Sequence, residues 1–123
     1  MQLSLTRYVL QVPGCQIKQA KLHPFPCRVA VVIGISERCK GGRTCYNATV
    51  AYDKDGTLLG VHRKILPTYA ERYVWGRGDG SGLLAWDSSI GRIGSLICWE
   101  HTMNLARYQC LHNYALCASM LLH

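Results

Sequence analysis

Two clusters of residues have the types and the spacing to do chemistry. The first is Ile90-Gly-Arg-Ile-Gly-Ser-Leu-Ile-Cys98-Trp-Glu-His-Thr102. Here an apolar strand delivers a cysteine to its carboxyl end, just before a helical period begins. A sharp turn at that point exposes the side chain and leaves backbone N–H groups free to hold an oxyanion. The positive end of a helix also favours a thiolate, the form in which cysteine attacks an electrophile. The ordinary alternative for such a residue is a small apolar filler in a buried strand.

The second cluster is Gly60-Val-His-Arg-Lys64-Ile-Leu-Pro-Thr-Tyr-Ala-Glu71-Arg72. Lys64 lies near the end of a strand that Pro67 stops, where it can steady a tetrahedral intermediate or move a proton. Its ordinary alternative is a solvated lysine. Glu71 reads by itself as a surface acid or as a partner for Arg72.

The elements that must position these residues are legible from about Val29 onward. Val29 to Ile35 is a β-branched run that predicts a buried strand. Ala48 to Tyr52 predicts the next strand, and Asp53-Lys-Asp-Gly56 a tight hairpin turn that returns the chain through Thr57 to Ile65. Pro67 to Ser81 reads as loop with a short turn of helix. Leu83 to Trp86 and Ile90 to Ile97 predict two further strands, joined by a turn over Asp87 to Ser89. After Cys98, the spacing of Tyr108, Leu111, Ala115, Ala118 and Leu122 predicts one helix running to the end of the chain, with Thr102 as its N-cap. The fold class is therefore α/β in layers. Residues 1–28 have an irregular pattern broken at Pro13-Gly14 and Pro24-Phe-Pro26.

Composition narrows the function. The chain has 123 residues, 49% of them hydrophobic and 17% charged, which suits one packed domain. No apolar run approaches the roughly 20 residues that cross a bilayer, and no signal layout opens the chain, so a soluble, cytoplasmic protein is expected. The formal charge of +7 raises the question of nucleic acid. The cations are scattered, however, and the excess reflects a shortage of acids: no Asp or Glu precedes Glu37. Seven cysteines, an odd number with no CxxC pair, argue against both a disulfide framework and a structural zinc site. Arg77-Gly-Asp79, the glycine-rich loop around it and Asn47-Ala-Thr49 read as incidental likenesses to adhesion, phosphate-binding and glycosylation motifs.

The spaced text is more specific than any one motif. Tyr46-Asn47, Asp55-Gly-Thr-Leu-Leu-Gly60, His62-Arg-Lys64, Pro67-Thr68, Glu71-Arg72, Trp75-Gly76 and Gly78-Asp-Gly-Ser81 come in order. Gly91-Arg-Ile-Gly94, Leu96-Ile-Cys-Trp-Glu-His101 and Leu105-Ala-Arg-Tyr108 follow. In this text the chain resembles the nitrilase branch of the carbon–nitrogen hydrolase superfamily over residues 29–108. The resemblance implies an α-β-β-α sandwich, here partial, occupying residues 29–123 beside an unmatched segment 1–28. It implies a Glu–Lys–Cys triad whose cysteine falls on Cys98 and whose lysine falls on Lys64, with a supporting glutamate at Glu71. It further implies a small-molecule nitrile as substrate, no cofactor or metal, and assembly into homo-oligomers. The triad's first acid belongs before the Val29–Ile35 strand, where this chain has no carboxylate. Glu37 matches a different family position, so the expectation that goes with the resemblance is an interior fragment. The competing expectation is a non-catalytic piece of the family fold that acts only by associating with other chains.

Overall fold

The structure, a computed structural model, describes residues 29–39 and 41–112 and the backbone of residues 116–120. Residues 1–28 lie outside the described residues. The described chain forms two three-stranded sheets and one α-helix.

The first sheet is antiparallel, β1 (Val31–Arg38), β2 (Cys45–Tyr52) and β3 (Leu58–Arg63), in that order. Val31 pairs with Tyr52 at one end of the β1–β2 ladder and Arg38 with Cys45 at the other. The β2–β3 turn forms where Asp-Gly chemistry predicts it. Gly56 takes φ +82°, its N–H donates to Asp53 O, and the Asp55 side chain accepts from Thr57 N–H. A register shift at Ala51/Tyr52 bends β2 as it enters this turn.

Alternation along the strands divides the sheet into two chemically different faces. One carries Ile35, Ala48, Val50 and Tyr52, with Ile33, Leu58 and Val61 packed against them. Asn47, Thr49 and His62 alternate with these positions and are buried as well. Gly60 shows what packs there. A Cβ at that position would stand 2.1 Å from Trp86 Nε1, so glycine is what lets the two sheets approach.

The second sheet contains β4 (Trp86–Ser88), β5 (Gly91–Ile97) and β6 (Leu116–Met120). β4 is antiparallel to β5, and β6 is parallel to it. Its other face holds α1 (Asn104–His112), through a core of Leu96, Ala106 and Cys110 with Ile65, Leu83 and Met103 around it. The described layers are thus helix on sheet on sheet. The Asp53 carboxylate adds a link between the sheets by accepting from Ser89 N–H (2.9 Å) and Ser89 Oγ–H (2.6 Å).

The strand expected at Leu83–Trp86 lies later, at Trp86–Ser88, which absorbs part of the expected turn. The single long helix is replaced by a shorter one. It begins at Asn104 and ends at His112, and Leu116–Met120 returns as a strand hydrogen-bonded to β5. Thr102 is not an N-cap; its hydroxyl donates to Trp99 O and closes the 3₁₀ turn Cys98–Thr102 that precedes the helix.

Candidate active site

Cys98 stands where β5 ends. Ile93 to Ile97 are all buried, so the strand that carries the cysteine is a rigid support. The next residue, Trp99, is exposed, and Cys98 itself is half-buried. The transition from strand to 3₁₀ turn is made by Cys98, at φ +52°. A side chain with a Cβ pays about 1–2 kcal/mol for that region. Such strain persists only where the surroundings enforce it, and it gathers at functional positions. Replacing Cys98 with glycine removes the Cβ that clashes, whereas alanine keeps it. We therefore expect Cys98→Gly to be more stable than Cys98→Ala by about 1 kcal/mol in urea melts. Equal stability, or a more stable alanine variant, would show that the turn is unstrained.

Lys64 follows β3 directly, with 1% of its surface exposed. Its backbone N–H donates to Asn47 O at 2.8 Å and its carbonyl accepts from Gly78 N–H at 2.8 Å, which fixes its main chain from both sides. The glycine-rich loop lies directly on that backbone. A Cβ at Gly78 would stand 2.4 Å from Arg63 O, so only glycine lets the loop come this close. The Lys64 ammonium donates to Glu71 Oε2 at 2.7 Å and to Thr68 Oγ1 at 3.2 Å.

The same Glu71 oxygen accepts from Thr68 N–H at 2.7 Å, which anchors the 3₁₀ turn Tyr69–Tyr73. Glu71 is therefore the partner of Lys64. It is neither a free surface acid nor a partner of Arg72, whose guanidinium donates instead to Pro67 O. Glu37, the first acid of the chain, is 2% exposed and forms a bidentate pair with Arg63.

Sequence reasoning missed two residues that join these parts. Glu100, fully buried, accepts from Ile97 N–H (2.7 Å) and Ile65 N–H (2.7 Å) and lies 2.8 Å from His62 Nε2. Burial pushes its carboxyl up. The hydrogen bond and charge of His62, with the two backbone donors, outweigh that and leave it below the ordinary carboxylate range. The available signal was alternation: His62 and Lys64 are two residues apart and so share a face of the β3 path.

Among the described residues, no group of three or more His, Cys, Asp or Glu side chains could hold a metal ion. No described helix is long and apolar enough to cross a membrane.

Ile97 and Ile65, the neighbours of Cys98 and Lys64, thus both donate to the one carboxylate of Glu100. The chain belongs to the carbon–nitrogen hydrolase family, whose sequence model matches residues 12–114. That match takes in residues 12–28, which carry none of the motifs named above. Similar proteins are named nitrilases. "Nitrilase 3" of an unknown prokaryotic organism is 55% identical over 80 residues, covering 65% of this chain and 24% of that protein. The "Bifunctional nitrilase/nitrile hydratase NIT4A" of Nicotiana tabacum is 41% identical over 98 residues, covering 80% of this chain and 28% of that protein. The chain thus spans about a quarter of the length of these relatives. A carbon–nitrogen hydrolase from Helicobacter pylori G27 superposes with a TM-score of 0.69 at 24% identity, covering 76% of this chain and 32% of that one. That likeness bears on the fold alone.

Proposed function

We propose that this chain carries the nucleophile half of a nitrilase active site and that its reaction is hydrolysis of a small nitrile to a carboxylic acid and ammonia. The observation that carries the reading is the meeting of Cys98, in its left-handed turn, with the Lys64–Glu71 pair through adjoining residues on one carboxylate. The relatives named nitrilases support the choice of substrate class.

In this reading the Cys98 thiolate attacks the nitrile carbon, forming a carbon–sulfur bond and a thioimidate. Lys64 donates a hydrogen bond to the nitrogen, where negative charge develops, and Glu71 holds the ammonium in place. Water adds, ammonia leaves, and a thioester remains. A second water releases the acid and restores the thiol. Glu37 is engaged by Arg63, and no acid precedes it, so no residue of this chain is assigned as the base that activates water.

The test is incubation with a panel of aliphatic and aromatic nitriles. Ammonia and carboxylic acid are expected in equal amounts. Failure to release ammonia from any of them, while circular dichroism shows folded protein, removes the reading.

Self-association belongs to the same proposal. Leu105 and Tyr108 on α1, with Trp99 in the preceding turn and Leu84, which lines a cavity with Leu105, are all more than half exposed. Apolar surface of this kind marks an interface. Light scattering should report species larger than one chain, and a monomer at every concentration would refute it. Cys45 and Cys98 are free thiols, which fits the reducing cytoplasm we propose as its location; recovery with secreted protein after cell fractionation would contradict that placement.

A further inference from the structure

Cys98 and Lys64 follow strands of different sheets, so their register depends on whatever ties the end of β5 to the end of β3. One side chain does so directly. Glu100 Oε2 accepts from the N–H of Ile97, the residue before Cys98, and Oε1 accepts from the N–H of Ile65, the residue after Lys64. His62 Nε2 lies 2.8 Å from Oε2, and both His62 and Glu100 are fully buried.

The chemistry of this junction asks for a carboxylate. Three N–H donors converge on two oxygens from separate directions, and an ionised carboxylate has about four acceptor positions with no donor to misplace. Glutamine has the same shape but would turn an NH₂ toward one of the backbone N–H groups. Glu100 also lies two residues beyond Cys98 and reaches back to the residue before it, so its side chain closes a small loop around the cysteine. That closure is the kind of constraint a φ of +52° at Cys98 requires.

We infer that Glu100 is a positioning residue: through Ile97, Ile65 and His62 it holds Cys98 in its left-handed turn and in register with Lys64. The inference rests on the reading of Cys98 as a nucleophile, but its test needs no turnover.

The experiment is site-resolved alkylation of the full chain by iodoacetamide, followed by mass spectrometry, with fully buried Cys110 as an internal reporter of folding. Glu100→Gln should slow labelling of Cys98 by about tenfold or more while Cys110 stays protected. His62→Leu should slow it also. His62→Gln, whose amide can donate to the same oxygen, should restore much of the rate. A Cys98 rate unchanged in folded Glu100→Gln overturns the inference. If Glu100→Gln exposes Cys110, the His62 pair decides: recovery in glutamine over leucine supports the positioning role, and equal rates overturn it. A wild-type Cys98 no faster than Cys39 and Cys45 would instead sink the nucleophile reading itself.

Discussion

Replacing Cys98 with alanine abolishes ammonia release from nitriles, a loss on the order of 10⁴-fold or more, because no bond to the substrate can then form. The strand that presents Cys98 is buried from Ile93 to Ile97, and the turn that follows is closed independently by Thr102 on Trp99 O and by Met103 N–H on Glu100 O. Neither support uses the thiol, so the alanine variant should fold. The loss can then be read as chemistry. Wild-type Cys98 should also be alkylated well ahead of the other thiols, and buried Cys110 should be slowest. Residual turnover in Cys98→Ala at more than about a hundredth of the wild-type rate would mean that another group attacks the nitrile.

The parts of this site differ in how far the sequence discloses them, and the reason is the range of the interaction. Cys98 is legible because a strand and a helical period change over at one residue. Lys64 is legible because Pro67 ends the strand close behind it. Both are local signals. The Lys64–Glu71 pair needs the chain to turn back within seven residues, so from the sequence alone Glu71 looks equally like a surface acid. The His62–Glu100 pair spans 38 residues; alternation puts His62 on the face of Lys64, but no local pattern anticipates its partner.

The C-terminal stretch shows the opposite failure, a local signal overruled. Tyr108, Leu111, Ala115, Ala118 and Leu122 have helical spacing, yet Leu116–Met120 pairs in parallel with Ile93–Ile97. A short apolar run fits a buried strand as well as a helix. The edge of β5 offers this segment a full ladder of backbone hydrogen bonds, which outweighs a weak periodic preference. The buried, nearly continuous apolar character of β5 itself is what a strand with neighbours on both sides should have.

Lys64→Met should reduce turnover by about 10²- to 10⁴-fold and should also destabilise the fold, and a second substitution separates the two effects. Lys64 is almost wholly buried, whereas Glu71 keeps 16% of its side chain exposed. Removing the lysine leaves the Glu71 carboxylate in a poorly solvated place, still accepting from Thr68 N–H. An uncompensated, largely buried charge is costly, and water reaching Glu71 lowers that cost to about 1–3 kcal/mol. Adding Glu71→Gln removes the stranded charge, while its carbonyl oxygen can still accept from Thr68 N–H. The double variant Lys64→Met/Glu71→Gln should therefore recover much of the lost stability in urea melts and none of the turnover. Activity that returned together with stability would make Lys64 a structural cation only. Activity that stays lost in a restored fold separates the catalytic loss from the loss of stability, as an ammonium that meets the charge developing on the nitrile nitrogen requires.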